Sequence, residues 1–539
     1  MLEFERWLEK ATDAETRSAL QSLVGKEVDI EDCFYTSLAF GTGGLRGTLG
    51  VGTNRMNRYT VARATLGLAD YILENGGRSI VIAYDTRHKS DEFARLAADV
   101  MSALGIHAYL FPEPTPTPVL SFAVRHLGAD GGIVITASHN PKEYNGYKVY
   151  NAHGCQITDE AARAITEKIE KRDYFDTFTP NEAFISILDG QIEDAFLDTI
   201  CTHAVSDISP DDAPVVVYSP LNGTGRKYVR RALERIGIRH VYTVAEQEMP
   251  DGDFPTCPYP NPEERKALRL ALRDAERYKP DLVMATDPDA DRVGIAVPDE
   301  HGEYVLLNGN ETGSILLYYL LSKRRDAGIP CNGATVIKTI VTTDIIFDMV
   351  AGLDVEVKEV LTGFKYIGEA MDTTKDYLLG LEESYGYLIG THARDKDAVS
   401  AAMMIAQACA YFKKRGKSLH AVLEEIYRQY GYYYTALRSV SLPGKDGLKK
   451  MQETLSRIRS NPPRTLCGQA VTFDDFNDGL YGLPKSNVLR FKTNDYRILI
   501  RPSGTEPKMK VYLQAKASSR DALRECAAKA EAFVEELLG

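Results

Sequence analysis

Three apolar segments, each followed directly by a polar loop, constrain the fold of this 539-residue chain most strongly. They read GGIVITASHNP at 131–141, DLVMATDPDADR at 281–292 and DYLLGLEESYG at 376–386. Short runs of aliphatic and β-branched residues predict buried strands, and Pro141 ends the first run because proline breaks regular structure. In open α/β sheets, ligands bind at the carboxyl ends of the strands. We therefore expect similar domains that direct their three loops at one cleft.

Strand-like and helix-like segments alternate through most of the chain. Ser79–Tyr84 is predicted to be a strand, Ser90–Leu104 a helix with Ser90 as its N-cap, and His107–Phe111 the next strand. Such alternation indicates βαβ units and mostly parallel sheets. The same pattern predicts the strands Val215–Tyr218, Val241–Val244, Asp281–Thr286, Ala334–Ile340, Val355–Val360 and Tyr377–Leu381 and the helix Gly225–Ile236.

The C-terminal part has a different pattern. Two predicted strands, Tyr496–Ile500 and Lys510–Gln514, flank the loop Arg501–Pro507, and Ser519–Leu538 is typical of one amphipathic helix. The expected fold class is therefore α/β, with three similar mixed α/β domains plus a smaller C-terminal α+β domain around a central cleft.

Composition narrows the possible partners and the compartment. The hydrophobic content of 44% is ordinary for a globular protein, and the net charge of −12 argues against a broad nucleic-acid surface. The eight cysteines share no CxxC spacing, so we expect reduced thiols and no zinc site. The N-terminus at 1–7 does not resemble a signal peptide, and the longest apolar run, at 401–410, is too short to span a bilayer. A cytoplasmic protein with no membrane or nucleic-acid partner is expected, and its oligomeric state is left open.

The first polar loop presents Ser138 at the end of a predicted strand, so Ser138 is a candidate nucleophile. His139 beside it could assist a transfer, although a structural histidine is an equal alternative when this residue is considered alone. Asp85-Thr86-Arg87 follows another predicted strand and could brace the nucleophile loop, with a helix-entry turn as the alternative.

The second polar loop carries carboxylates at alternate positions, Asp287, Asp289 and Asp291, which can converge on one hard cation. A solvated turn is the alternative. A calcium EF-hand does not fit, because Arg292 stands where that loop needs glycine and Pro298 where it needs glutamate. A Mg²⁺ ion that also binds a phosphate oxygen fits better, and Arg292 could contact the same phosphoryl group.

Several cationic segments could bind phosphate. Gly41–Gly47 lacks both the GxGxxG and the P-loop pattern, so a loop that places Arg46 on a phosphate is favoured over nucleotide binding. Arg501–Pro507 combines a guanidinium, hydroxyls and a glycine turn, which suits a phosphate dianion. Lys148 and Lys396 are candidate proton carriers or phosphate ligands. An ordinary turn or a solvated lysine is the alternative for each.

Taken together, TASHNP, DPDADR, GLEESYG and RPSGTEPK, in this order, resemble the motifs of the α-D-phosphohexomutase family, and FGTGGLRG at 40–47 agrees with them. The resemblance covers nearly the whole chain. It is strongest to the branch that holds bacterial α-phosphoglucomutases, phosphopentomutases and glucose-1,6-bisphosphate synthases.

The resemblance implies four domains around a deep cleft: a phosphoserine domain at 1–205, a metal-binding domain at 206–307, a sugar-binding domain at 308–432 and a phosphate-binding domain at 433–539. It implies that Ser138 is the phosphoserine and that Mg²⁺ is bound by Ser138, Asp287, Asp289 and Asp291. The remaining site residues that it implies are Arg46, Lys148, Arg292 and Lys396 in the active centre, Thr362, Gly363, Glu382 and Ser384 around the sugar, and Arg501, Ser503, Gly504 and Thr505 around the second phosphate.

The activity that the resemblance implies is reversible phosphoryl transfer between glucose 1-phosphate and glucose 6-phosphate, with glucose 1,6-bisphosphate as intermediate and activator. The alternatives are phosphopentomutase, phosphomannomutase or bisphosphate synthase activity on the same scaffold, a catalytically silent sugar-phosphate sensor and a phosphatase.

The chain departs from relatives at two positions that bear on the site. No histidine follows Ser384 as in some phosphomannomutases, which favours Lys396 for proton transfer, and Asn222 replaces a common histidine.

Overall fold

The computed structural model describes residues 2–41, 43–204, 208–441, 446–502 and 508–538. Across these ranges the chain forms four main sheets in sequence order, and helices pack against each of them. Among the helices of these ranges, none is both long enough and apolar enough to cross a membrane.

The first sheet contains β1 (Leu45–Thr48), β2 (Ser79–Tyr84), β3 (His107–Leu110), β4 (Gly131–Ile135), β5 (Tyr144–Asn151) and β6 (Ile185–Ile187). Its helices are α1 (Leu2–Lys10), α2 (Ala14–Leu23), α3 (Glu27–Phe34), α4 (Arg58–Glu74), α5 (Ser90–Ala103), α6 (Thr117–Leu127), α7 (Asp159–Glu170) and α8 (Gly190–Cys201). The strand order is β1-β5-β4-β2-β3-β6. Every residue of β4 is buried, as a strand covered by helices on both faces requires.

The second sheet contains β7 (Val216–Ser219), β8 (Val241–Thr243), β9 (Leu282–Thr286), β10 (Val293–Pro298) and β11 (Tyr304–Leu307). Its helices are α9 (Gly225–Arg235), α10 (Ala245–Glu248) and α11 (Arg269–Tyr278). The strand order is β11-β10-β9-β7-β8.

The third sheet has strand order β13-β12-β14-β15, with β12 (Ala334–Thr339), β13 (Glu356–Val360), β14 (Asp376–Glu382) and β15 (Gly386–Leu388). Its helices are α12 (Gly309–Asp326), α13 (Ile345–Val350), α14 (Phe364–Met371), α15 (Ala398–Lys413) and α16 (Leu419–Tyr430). Asn308 begins α12 with a capping box, because its side chain accepts from the backbone of Glu311 and the Glu311 carboxylate accepts from the backbone of Asn308.

The fourth sheet is antiparallel, with strand order β16-β22-β21-β20-β19. The strands of this region are β16 (Tyr432–Ser441), β17 (Thr465–Leu466), β18 (Gln469–Ala470), β19 (Thr472–Asp475), β20 (Leu489–Lys492), β21 (Tyr496–Pro502) and β22 (Lys508–Ala517). Its helices are α17 (Gly447–Ser460) and α18 (Arg520–Leu538). The predicted smaller α+β unit is therefore present.

The first three sheets share one arrangement. In each, a loop-bearing strand (β4, β9 or β14) runs parallel to the preceding central strand and antiparallel to the strand that follows the loop. Seven of the twelve strand pairs in these three sheets are parallel, as predicted, and the other five, which the alternation did not predict, make each sheet mixed. The physical reason is the short polar loop, which can only return the chain antiparallel because a parallel return needs a long crossover.

One correction concerns the start of α5. Lys89, in a left-handed conformation with φ of 65°, is the N-cap, and the Ser90 hydroxyl donates to Asp85 Oδ1 at 2.8 Å. The sequence pattern predicts Ser90 as the cap, but a buried carboxylate behind the nucleophile loop accepts the hydrogen bond of this hydroxyl instead.

The boundaries inferred from the resemblance remain our proposal. The one at 307/308 lies between β11 and α12, and the one at 432/433 falls after the first residue of β16. The boundary at 205/206 falls on residues 205–207, which lie outside the described ranges.

Candidate active site

The nucleophile loop holds Ser138 in a strained, buried position. Ser138 is 4% exposed and its φ of 53° lies in the left-handed region, which non-glycine residues rarely adopt. Its amide donates to Thr136 Oγ1 at 2.8 Å. Its hydroxyl donates to Asp287 Oδ2 at 2.8 Å and lies 3.2 Å from His139 Nδ1. Strain of this kind persists where the surroundings fix a side chain for a purpose.

Arg87 braces this loop, as the Asp85-Thr86-Arg87 pattern predicted. The guanidinium donates to the carbonyl oxygens of Ser138 at 2.6 Å and Pro141 at 2.8 Å, and also to that of Asn140. Asp85, fully buried, holds Arg87 by an ion pair of 3.2 Å. The loop backbone is therefore fixed by a charged group that the sequence places more than fifty residues earlier.

The three carboxylates of the second loop converge. Asp287, Asp289 and Asp291 are at most 1% exposed, and one oxygen from each lies within 4.8 Å of the others. Burial, followed by the charges of Asp289 and Asp291, raises the pKa of Asp287 well above its ordinary value. Three buried carboxylates at this spacing carry a charge that protein interiors tolerate only when cations balance it.

Two lysines from different domains supply part of that balance. Lys148 on β5 contacts Asp289 Oδ2 at 2.8 Å and Asp291 Oδ2 at 3.3 Å. Lys396, which precedes α15, contacts Asp291 Oδ2 at 3.1 Å. Burial alone would lower the pKa of Lys396, but Asp291, Asp395 and Glu382 together raise it.

The carboxylate triad fits a divalent cation. Asp289 Oδ1 and Asp291 Oδ1 are buried and have no hydrogen-bond partner, whereas the lysines occupy the opposite oxygens of the same carboxylates. Unpartnered buried carboxylate oxygens are costly unless they receive a ligand. Hard cations such as Mg²⁺ and Ca²⁺ prefer oxygen ligands of this kind.

Two further groups, neither of them among the predicted site residues, hold the acidic loop Asp287–Arg292. Thr117, at the start of α6, donates its hydroxyl to Asp289 Oδ2 at 3.0 Å and its amide to the Asp289 carbonyl at 2.9 Å. Thr224 donates its amide at 2.8 Å and its hydroxyl at 3.0 Å to the Pro288 carbonyl. Thr117 could not have been found from the sequence, because a single threonine at the start of a helix is common. Thr224 could have been suspected, because it lies in the loop where Asn222 departs from relatives.

The third loop forms a second cluster. Glu382 is 5% exposed, and its Oε1 accepts from the Gly363 amide at 2.9 Å. Burial raises the pKa of Glu382 to about 7. Thr362 Oγ1 is buried without a hydrogen-bond partner, and Ser384 is half-buried in the turn that follows Glu382. A buried hydroxyl without a partner close to a buried carboxyl group suits a hydroxyl-rich ligand.

A cavity of about 460 Å³ separates the third domain from the first and the fourth. Arg501 and Lys365 supply positive charge to its wall, and Thr362 and Gly363 connect it to the Glu382 cluster. Of the predicted phosphate loop, Arg501 is the described member, and Ser503, Gly504 and Thr505 lie outside the described residues.

The other predicted cations surround the triad more loosely. Arg292 pairs with Glu263 at 2.7 Å, and its Nε lies 3.8 Å from Asp291 Oδ1. Arg46 is exposed on β1, where the charges of Asp289 and Asp291 act on it. Burial, with the charges of Arg292 and Arg46, lowers the pKa of His139 well below its ordinary value. The imidazole beside Ser138 is therefore held neutral.

Models of four domains of one family match the chain in order. These are the phosphoglucomutase/phosphomannomutase alpha/beta/alpha domains I at 37–175, II at 194–302 and III at 308–430, and the C-terminal domain at 448–532. The chain belongs to the phosphoglucomutase/phosphomannomutase family. The resemblance stated from the motifs is confirmed, and so is the fold class of three α/β domains plus a C-terminal domain.

Curated relatives in this family are similar over almost the full length. A phosphoglucomutase of Staphylococcus haemolyticus is 37% identical and covers 90% of this chain and 91% of its own. One from Staphylococcus aureus strain RF122 is 36% identical and covers 96% of each chain.

Solved structures have the same fold. A putative phosphomannomutase from Thermus thermophilus has a TM-score of 0.70 at 26% identity and covers 93% of this chain and 99% of its own. The phosphoglucomutase parafusin from Paramecium, in an open form, has a TM-score of 0.72 at 18% identity and covers 94% and 95%.

Proposed function

We propose that this chain is a phosphoglucomutase that interconverts α-D-glucose 1-phosphate and glucose 6-phosphate through a phosphoserine at position 138. The observation that carries the proposal is the contact of Ser138 Oγ with Asp287 Oδ2, at 2.8 Å, beside a triad with two unpartnered oxygens. Relatives named phosphoglucomutase at 36–37% identity favour glucose as the sugar.

In the first half-reaction, O6 of glucose 1-phosphate attacks the phosphorus on Ser138. The new P–O6 bond forms as the P–Oγ bond breaks, the O6 proton passes to a protein base, and the Ser138 oxygen takes up a proton. Glucose 1,6-bisphosphate is formed. The bisphosphate then reorients in the cleft, and Ser138 Oγ attacks the phosphorus on O1. The new P–Oγ bond forms as the P–O1 bond breaks, Ser138 gives its proton to a protein base, O1 takes up a proton, and glucose 6-phosphate leaves. The same bisphosphate, added from solution, would phosphorylate and so activate the enzyme.

The metal in this proposal is Mg²⁺, held by Asp287, Asp289, Asp291 and an oxygen on Ser138. When bound, it supplies Lewis-acid stabilisation of charge on the transferring phosphoryl group. Arg292 and Arg46 add positive charge on the same side. Ser138 keeps its strained orientation through Arg87, so the attacking oxygen needs little rearrangement.

The sugar and its second phosphate are assigned to the cavity. Glu382, Thr362 and Ser384 would bind sugar hydroxyls, with the Gly363 backbone fixing Glu382. Arg501, with Ser503, Gly504 and Thr505, would hold the phosphate that is not reacting. A clamp at one end and a reactive centre at the other suit a bisphosphate that binds in two orientations.

Two groups carry the protons in this proposal, one beside the serine and one beside the sugar. His139 is neutral and lies 3.2 Å from Ser138 Oγ, so it can exchange a proton with the serine. Burial alone would lower the pKa of both lysines, but Asp289 and Asp291 raise that of Lys148, and Asp291, Asp395 and Glu382 raise that of Lys396. We assign acid–base exchange with the sugar hydroxyl to Lys396, because it lies 3.1 Å from Asp291 and no histidine follows Ser384 to do this.

The test is incubation with glucose 1-phosphate, Mg²⁺ and a trace of glucose 1,6-bisphosphate. Formation of glucose 6-phosphate is expected, and Ser138→Ala is expected to abolish it because the transferable bond is lost. Ser22→Ala, which removes an exposed serine hydroxyl from α2, is the control and is expected to keep parent activity.

Other results identify other functions. Release of inorganic phosphate instead of glucose 6-phosphate would identify a phosphatase, and binding without turnover a sensor. Faster turnover of mannose or ribose phosphates in the same assay would reassign the substrate and leave the phosphoserine proposal in place. Normal turnover by the Ser138→Ala variant would contradict the nucleophile assignment.

A further inference from the structure

We propose that Tyr150 and Gly386 position Lys396 in the active centre, Tyr150 through the carboxylate of Asp395 and Gly386 by leaving space for the lysine side chain. The proposal rests on the proposed function, since it assigns both residues to the phosphoryl-transfer site. Neither residue belongs to a sequence motif that contains Lys396.

Tyr150 reaches the third domain from the first. It lies two residues after Lys148 on β5, so both side chains point to the same face of the sheet. Lys148 contacts Asp289 in the acidic loop, whereas the Tyr150 hydroxyl donates to Asp395 Oδ2 at 2.7 Å. Tyr150 is 1% exposed and Asp395 2%, so this hydrogen bond is shielded from water.

Asp395 links Tyr150 to Lys396 through hydrogen bonds. Its Oδ1 accepts from the Lys396 amide at 2.8 Å and contacts the Lys396 ammonium at 3.2 Å. One carboxylate therefore binds a tyrosine of the first domain with one oxygen and both ends of Lys396 with the other. The neighbouring Arg394 amide donates to Ser121 Oγ at 2.9 Å, which docks the same loop on α6.

Gly386 leaves space for the Lys396 side chain because it has no Cβ atom. A Cβ atom at this position would lie 2.3 Å from Lys396 Cδ and 2.8 Å from Cγ. Those atoms are in the middle of the lysine chain, so the whole stem would have to move. The φ of Gly386 is not in the left-handed region, so backbone conformation does not require glycine here. Glycine is needed at this position because Lys396 crosses directly above it.

The first test removes only the tyrosine hydroxyl. Tyr150→Phe is expected to lower kcat about tenfold with KM within about twofold of the parent, because Asp395 loses a buried hydrogen bond but the sugar contacts stay. Tyr147→Phe is the matched control. It removes another buried hydroxyl of β5, one that bonds to Thr65 in the domain core, and it is expected to leave both constants unchanged.

The second test measures the position of the Lys396 ammonium group directly. Gly386→Ala is expected to lower kcat about a hundredfold, as misplacement of a catalytic group by about 1 Å does. A crystal structure of this variant is expected to show Lys396 Nζ beyond hydrogen-bond distance of Asp291. Nζ retained beside both Asp291 and Asp395 would overturn the proposal, whatever the variant's activity.

A double-mutant cycle separates positioning from general stability. In a Lys396→Ala background, Tyr150→Phe is expected to cost nothing further in kcat, because the lysine that it positions is gone. Additive losses would overturn the proposal.

The crystal structures also distinguish the two proposals. If the parent turned over no sugar phosphate, the proposed function would fail. The place of Lys396 in the parent and in the Gly386→Ala variant would still decide whether Gly386 and Asp395 hold it.

Discussion

Ser138 shows how a residue can have a strained backbone and still lie at the centre of a proposed site. A left-handed serine costs on the order of 1–3 kcal/mol, and hydrogen bonds from Arg87 and to Thr136 and Asp287 hold it in place. The sequence identified Ser138 by its place after a strand. The strained backbone at Ser138 could not be predicted from the sequence, because its φ depends on groups from distant parts of the chain.

Glu382 makes stability depend on pH. Burial raises its pKa from 4.5 to about 7, so the folded chain keeps a proton that the unfolded chain releases between these values. The free energy of unfolding therefore falls as pH rises through that window, by up to about 3 kcal/mol from this group. Glu382→Gln is expected to raise Tm relative to the parent at pH 8 but not at pH 4.5. A difference in Tm that is constant across this range would contradict the assignment.

Asp289 should determine metal affinity. Asp289→Asn replaces the unpartnered Oδ1 or its partner oxygen with an amide, which is a poorer ligand for a hard cation. Calorimetric titration with Mg²⁺ is expected to show affinity lower by about tenfold or more. Asp211→Asn, an exposed change in the same domain, serves as control. Equal Mg²⁺ affinity in the two variants would count against the triad as the metal site.

At the scale of elements, the three polar loops share a geometry that their sequences do not reveal. Each joins a parallel strand to an antiparallel one, and each contains a non-glycine residue with positive φ: Ser138, Ala290 and Tyr385. Strand identity was predictable from apolar runs. The parallel direction of the central strands was predictable from the βαβ alternation, whereas the antiparallel strand after each loop was not, because apolar periodicity does not distinguish the two directions.

The loop before α9 packs closely against the acidic loop Asp287–Arg292 and supports it. A Cβ on Gly223 would lie 2.4 Å from Pro288 Cα, so Gly223→Ala must displace the backbone between Asp287 and Asp289. Mg²⁺ affinity is expected to fall about tenfold to a hundredfold, as for other groups that support metal ligands.

The matched control for this loop is Gly190→Ala at the start of α8, where a Cβ meets nothing within 4 Å. It is expected to leave Mg²⁺ affinity unchanged. Unchanged metal binding in Gly223→Ala would show that the two loops move independently.

At the scale of the whole molecule, buried charges join the third and fourth domains. Lys338, which is fully buried, contacts Glu359 at 2.7 Å and Asp344 at 3.1 Å. Arg497, from β21, contacts both of these carboxylates and is 2% exposed. Arg501 lies on the same strand, four residues later, so this network fixes the strand that leads into the proposed phosphate loop.

Loss of Arg497 should therefore destabilise the contact between these domains. Arg497→Met leaves Asp344 and Glu359 with less compensating charge, and breaking a buried pair typically costs about 3–5 kcal/mol. Thermal unfolding is expected to show a lower Tm for the C-terminal part. Arg524→Ala on α18, with a side chain 80% exposed, is expected to change Tm little. Equal Tm values for the two variants would contradict this account.

The sequence by itself determined the family and the order of the domains, and it predicted the residues proposed to carry the chemistry, because those depend on local runs and motifs. The tertiary structure alone decided which side chains meet. Thr117 contacts Asp289, Tyr150 contacts the residue before Lys396, and Gly386 lies against the Lys396 side chain, each from another strand, loop or domain, and no spacing along the chain encodes such contacts. Apolar periodicity predicts which residues are buried. Which side chains contact each other across a cleft depends instead on how separate sheets pack together.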